Sequence, residues 1–253
     1  MKPLFDDGQV TLYHARFEDV LPLLADQHLD LAVCDPPYAE TSLEWDQWPD
    51  GWPTEIAKVT RSMWCFGSMR MFLERRDEFT AAGWQLSQDV IWQKNNGTGF
   101  QADRFRRVHE HALHWYRGPW AQIHHEAPRQ PNDGPDQGAV RGGANRVPHY
   151  GGLRRNTWVD DGTRMVTSVM FAKNLRGVAI HPTEKPLPIL QRLIEYGCPA
   201  GGVVLDPMAG SGSTLEAARL TGRRAIGIER FHPYARAAAQ RLSQGVLDLG
   251  GVA

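Results

Sequence analysis

The sequence predicts an α/β protein: a mostly parallel sheet with helices on both faces, interrupted by a loop-rich insert. Three observations carry this. Apolar runs of strand length alternate with segments of helical periodicity, the pattern of repeated strand–helix–strand units. Two of those strands, at residues 29–34 and 203–205, run straight into an aspartate and a turn-forming segment. Residues 118–177 then break the pattern, losing periodicity and filling with Gly, Pro, Asn and Arg.

Taken in order, residues 9–13 (QVTLY) read as a short strand and 18–24 as a helix. The strand at 29–34 (LDLAVC) cannot continue through Pro36 and Pro37, because each fixes φ and removes a ladder donor. Asp35 therefore stands where a strand ends and a rigid turn begins, with Tyr38 a fixed distance beyond. Ligands of open α/β sheets bind at the carboxyl ends of strands. Alone, the four residues read equally well as an Asp-Pro turn opener. Trp45, Trp48 and Trp52 follow in a loop, where they supply aromatic bulk for packing it onto the body. A strand at 62–66 leads to a helix at 69–82, with Gly83 placed for a left-handed cap. Further strands are expected at 86–92 and 111–116. After the insert come a helix from about Pro186, then strand, glycine turn, helix and strand through 203–228, and a last helix at 233–242.

The 253 residues carry a formal net charge of -1, which excludes a globally basic nucleic-acid binder but not a local patch. Residues 117–180 hold nine Lys or Arg against five Asp or Glu, a basic stretch on an acidic body. Such a surface suits phosphate, and the bland alternative is a flexible linker. Three cysteines without paired spacing point to a reducing compartment, with Cys34 and Cys65 as inert core residues. No apolar run approaches a membrane span, and the N-terminal residues lack a signal-peptide core, so a cytoplasmic protein is expected. His109, His111, His114, His124 and His125 are concentrated enough to raise a metal site, but no cysteine or carboxylate set completes a cage around them.

In VVLDPMAGSGST, Asp206 ends the strand, Gly210 and Gly212 permit a tight turn in which backbone comes close to a ligand, and Ser213 and Thr214 open a helix. The dinucleotide spacing fails, since Leu215 stands where a third glycine belongs, and no Lys-Ser/Thr pair makes a phosphate loop. Glu229, seventeen residues after Gly212, ends the next strand and is placed to accept both hydroxyls of a ribose. Ribose without pyrophosphate points to an adenosine carrying another group, and S-adenosylmethionine fits.

Asp35-Pro36-Pro37-Tyr38, His181-Pro182-Thr183-Glu184-Lys185-Pro186 and Asp206-Pro207-Met208-Ala209-Gly210-Ser211-Gly212-Ser213-Thr214 together resemble the amino-methylating DNA methyltransferases. Those enzymes methylate adenine N6 or cytosine N4 with S-adenosylmethionine. The order, catalytic motif first and cofactor loop last, is similar to the permuted β class, and the likeness covers nearly all but the insert. Two departures stand out. Met208 replaces the family's phenylalanine, a change that packing under the cofactor tolerates. Ala15-Arg16 stands where a Gly-Asp pair is common, so Glu18 or Asp19 takes over the contact to the cofactor's adenine, or the adenine is held differently.

The resemblance implies a Rossmann-like sheet and a division into residues 1–117 (catalytic part), 118–177 (target-recognition insert) and 178–253 (cofactor-binding part). It implies double-stranded DNA as partner, with no membrane, and leaves a homodimer open. Cofactor contacts fall to Lys185, Asp206, Pro207, Met208, Gly210, Ser211, Gly212, Ser213, Thr214 and Glu229. Catalysis falls to Asp35, Pro36, Pro37 and Tyr38. An exocyclic amine is a poor nucleophile, since its lone pair is delocalised into the ring. The Asp35 carboxylate and the Pro36 carbonyl can accept its two N–H groups and localise that pair, while Tyr38 stacks a flipped base. Asp in the motif's first position is usual for adenine and Ser for N4-cytosine. A cysteine nucleophile is not expected, because the chain's one adjacent pair, Cys198-Pro199, has the reverse order. In the insert, Arg141, Arg146, Arg154 and Arg155, with Tyr150 among glycines, are the expected DNA contacts.

Overall fold

The computed structural model describes residues 1–42, 46–98, 103–132, 161–173 and 184–244. The chain forms two compact units, one of Met1–Glu126 with Ser168–Ala253 and one of Ala127–Thr167. The first unit begins with β1 (Phe5–Asp6), β2 (Val10–His14), α1 (Phe17–Val20), β3 (Leu31–Cys34), α2 (Trp52–Ala57), β4 (Ser62–Gly67), α3 (Met69–Ala81), β5 (Gln85–Thr98) and β6 (Arg107–Tyr116). The second unit holds β7 (Arg129–Pro131) and β8 (Thr163–Met165), an antiparallel pair braced by Arg129 on Asp161 at 3.0 Å. The first unit resumes with β9 (Val169–Phe171), α4 (Leu187–Gly197), β10 (Val203–Asp206), α5 (Ser213–Leu220), β11 (Arg224–Glu229) and α6 (His232–Ser243).

Among the described residues nine strands form one sheet in the order β1-β2-β11-β10-β3-β4-β6-β5-β9. From β2 to β4 every neighbour is parallel, as the alternation of strand and helix requires. Beyond β4 the chain turns back on itself in the long β5–β6 hairpin, so β6 meets both β4 and β5 antiparallel. These two strands extend well past the expected 86–92 and 111–116, and β9 adds a parallel edge strand beside β5.

Side chains alternate across a strand, and here both faces are covered. On β3, Leu31 and Val33 join the core with α4, α5 and α6, whereas Ala32 and Cys34 join the core with α1, α2 and α3. That two-sided burial is why the strand reads as an unbroken apolar run. Pro22 lacks an N–H, and the expected helix at 18–24 is a single α turn followed by a 3-10 turn at Leu21–Leu24. α3 ends as expected: Gly83 takes φ +83° and Trp84 N–H donates back to Phe79 O at 3.1 Å. Trp52 opens α2 and is fully buried, edge-on to Phe79 at 5.5 Å, with Trp48 packed beside it at 5.7 Å. Trp45 lies outside the described residues.

The middle of the sheet positions the site. The chain leaves β3 toward β4 on one side and leaves β10 toward β11 on the other, so a crevice opens between adjacent β3 and β10. Asp35 follows β3, Asp206 ends β10 and Glu229 ends β11, which brings three carboxylates to the carboxyl ends of three neighbouring strands.

Candidate active site

Asp35 keeps 24 % of its side chain exposed, yet both its oxygens have protein partners. Tyr38 Oη lies 2.9 Å from Oδ1, and Lys185 Nζ donates to Oδ2. The same two groups also meet Glu110 Oε1, Tyr38 Oη at 2.7 Å and Lys185 Nζ at 3.0 Å, and Lys94 Nζ sits on Glu110 Oε2 at 2.5 Å. Lys185 reaches this place from just before α4, passing 5.0 Å from the centre of the Phe66 ring. Burial raises the Asp35 pKa, which Lys185 opposes and Glu110 reinforces. Burial also pushes on Glu110, but Lys185 and Lys94 outweigh it and hold that carboxyl well below its ordinary value.

Beyond Tyr38 the chain is pinned by buried Asp46, which accepts from the N–H groups of Ala39 (2.9 Å), Glu40 (3.1 Å) and Thr41 (2.7 Å) and from the Thr41 hydroxyl (2.7 Å). Ala39 adopts φ +56°, a left-handed conformation that the clamp imposes on a residue with a Cβ.

The second half of the site is the turn between β10 and α5. Asp206 is 4 % exposed and accepts from Met208 N–H at 3.1 Å; burial raises its pKa to about 7. Glu229, 6 % exposed, is raised by burial too, against the pull of the Phe231 N–H at 2.6 Å on Oε1 and the Gly210 N–H at 2.8 Å on Oε2. Each oxygen retains a lone pair beside these bonds. Gly212 sits at φ +81°, and a Cβ there would stand 3.1 Å from the Cβ of Ala238 on α6. The close approach at this glycine is thus to a helix of the protein itself. Arg241 of α6 closes the back of the turn, bonding Ser213 Oγ at 2.8 Å, Glu216 at 3.4 Å and Glu184. A cleft of about 760 Å³ lies among Phe171, Lys173, Glu184, Leu187, Glu216 and Arg241. Asp35, Tyr38 and Gly210 are absent from its walls, so the chemistry places the site at the strand ends instead.

Asp35, Tyr38 and Lys185 are therefore brought together, and Asp206, Gly210, Gly212, Ser213 and Thr214 span the neighbouring turn, which Glu229 meets from the end of β11. Glu18 is bound to Arg16 at 2.9 Å. Arg141, Arg146, Arg154, Arg155 and Tyr150 lie outside the described residues, as do His181, Pro182 and Thr183. Sequence reasoning missed Lys94, Glu110, Asp46 and Arg241. Glu110 had a signal, a lone carboxylate on a strand entering the core, which the neighbouring histidines obscured. One of those, His114, has hydroxyl partners on both ring nitrogens, Ser62 at 3.0 Å and Ser87 at 2.6 Å, and burial lowers its pKa to about 3. Among the described residues no group of three or more His, Cys, Asp or Glu is arranged to hold a metal ion, and no helix is long and apolar enough to cross a membrane.

Known proteins resemble this chain in sequence and in fold. The putative methylase YubD of Escherichia coli (strain K12) is 57 % identical over 63 residues, 25 % of this chain and 28 % of its own length. Type II methyltransferase M.ScaI of Streptomyces caespitosus is 27 % identical over 262 residues, covering 95 % of this chain and 84 % of that protein. Among solved structures, the M1.HpyAVI–SAM complex superposes with a TM-score of 0.65 at 22 % identity, over 92 % of this chain and 98 % of that one. The family of DNA methylases of the N6/N4 type (N6_N4_Mtase) matches residues 29–240, a span from β3 to α6 that takes in both halves of the site. The chain belongs to that family of N6/N4 DNA methylases.

Proposed function

We propose that the protein methylates adenine N6 in double-stranded DNA, using S-adenosylmethionine and a target base flipped out of the duplex. The observation that carries this reading is Asp35 at the carboxyl end of β3, next to the turn after Asp206 and the Glu229 carboxylate that meets it. The turn suits the cofactor: buried Glu229 keeps lone pairs for ribose hydroxyls, and no phosphate-binding lysine competes there. Bound at this turn, S-adenosylmethionine supplies an electrophilic methyl group for direct displacement by the amine. The chain's own part is to aim that amine. Asp35 and the Pro36 carbonyl accept its two N–H groups, Pro36 and Pro37 fix the carbonyl direction, and the Tyr38 ring stacks the base. Residues 118–177 serve as the target-recognition insert, with Arg141, Arg146, Arg154 and Arg155 on phosphates or guanine edges. Incubation of DNA with labelled S-adenosylmethionine, followed by base analysis, tests the reading. N6-methyladenine is expected; N4-methylcytosine would keep the mechanism and overturn the choice of base.

A further inference from the structure

Glu110 belongs to none of the sequence motifs, yet it sits at the centre of the polar contacts around Asp35. Its Oε2 is taken by Lys94, and its Oε1 by both Lys185 and Tyr38. Side-chain exposure is 12 % at Glu110, 16 % at Lys94 and 6 % at Lys185, so these charges are screened far less than a surface pair. With Asp35 the set holds two carboxylates and two ammoniums. A phenol has one proton and cannot donate to both carboxylates. Glu110 Oε1, at 2.7 Å, is nearer than Asp35 Oδ1, at 2.9 Å. Donated to Glu110, the proton leaves a Tyr38 lone pair facing Asp35, a contact that suits Asp35 once it carries a proton.

We propose that Glu110 is a positioning residue for the methyl transfer: anchored by Lys94, it holds Lys185 on one oxygen of Asp35 and turns the Tyr38 oxygen toward the other. The role is the same for an adenine or a cytosine amine. As the amine N–H bond breaks, an O–H bond forms on Asp35 and donates to Tyr38, whose own proton stays on Glu110. Glu110 is too acidic to be the sink, and the proton leaves from partly exposed Asp35 to water. The other titratable groups near this carboxylate are Lys185, Tyr38, Asp206 at the end of β10, and the thiols of Cys34 and Cys65, which burial keeps neutral.

The test is the pH dependence of single-turnover methylation at saturating cofactor. Asp35 must be ionised to accept from the amine, and the Glu110 anion raises its pKa. Glu110→Gln is expected to shift the acid limb to lower pH by about one unit and to cut the plateau about tenfold. A merely structural residue would not move the limb. Since removing one member of a buried ion pair can unfold a protein, the balanced double variant Lys94→Met, Glu110→Gln provides a second measurement. It is expected to show a smaller displacement in the same direction. A wild-type acid limb in either folded variant overturns the assignment, as does a loss confined to S-adenosylmethionine affinity.

Discussion

Lys185 stands 150 residues from Asp35 in the chain, and its ammonium donates directly to Asp35 Oδ2. The contact joins the two halves of the site: Asp35 follows β3, and Lys185 immediately precedes the helix leading to β10. It also defines what removing either partner should do. Asp35→Ala leaves Lys185 with Glu110 and leaves the glycine turn untouched, so cofactor binding measured by calorimetry should persist. Methylation should fall by about 10²–10³-fold or more, the usual cost of losing a group aimed at developing charge. Wild-type turnover in this variant would remove Asp35 from the chemistry.

Asp46 tests whether the segment after Tyr38 has to be held. Three backbone N–H groups and one hydroxyl converge on its carboxylate, and although burial works against ionisation, these bonds hold its pKa below the ordinary value. With a depressed folded pKa, the contribution to stability is present above about pH 4 and lost as pH falls through the folded value. Asp46→Ala should cost about 2 kcal/mol by thermal unfolding near neutrality, with the difference closing in acid. Ala39→Gly should act oppositely, gaining about 1 kcal/mol by relieving the left-handed Cβ. If neither variant changes Tm, the clamp does not hold the loop in solution.

Asp206 has the reverse sign. Its folded pKa of about 7 exceeds the unfolded value of about 3.9, so the folded state binds more protons between them. Stability of the apoprotein therefore declines as pH rises from about 4 to 7, and the decline is complete above the folded pKa. Asp206→Asn removes this titration while keeping an acceptor for the Met208 N–H. Unfolding of wild type and variant at pH 4 and pH 8 should show the variant gaining, relative to wild type, a few kcal/mol at the higher pH. A constant difference across that range would mean that Asp206 stays ionised throughout.

The strands that carry the site were legible because two-sided burial produces apolar runs, and an aspartate followed by Pro-Pro or by a glycine turn marks where each run stops. The distance from Asp35 to Lys185 was not legible. A hydrogen bond between residues so far apart depends on the order of strands in the sheet, which periodicity does not encode. Glu110 and Lys94 escaped for the same reason, since their partners converge only when β5 and β6 pair. Gly212 shows a subtler gap. Its sequence context suggests close backbone approach to a ligand, whereas the positive φ and the Ala238 Cβ mean that the fold itself resists a side chain there.

Arg241 is the clearest case of a distant residue governing the glycine turn. It lies at the C-terminal end of α6, and its guanidinium joins Glu184, just before α4, to Ser213 and Glu216 on α5. A planar fork of donors can serve several acceptors at once, which a lysine ammonium on a flexible stem does less well. The guanidinium is 16 % exposed and Glu184 only 6 %, so screening by water is slight. Arg241→Ala should therefore lower stability by about 3 kcal/mol. It should also weaken S-adenosylmethionine binding, because Ser213 opens α5 directly after the turn proposed to receive the cofactor. Arg241→Lys retains the charge opposite Glu184 but not the span, so it should recover most of the stability and less of the affinity. Thermal unfolding and cofactor titration on the two variants separate these contributions. Full cofactor affinity in a folded Arg241→Ala protein would show that α6 supports the fold without shaping the site.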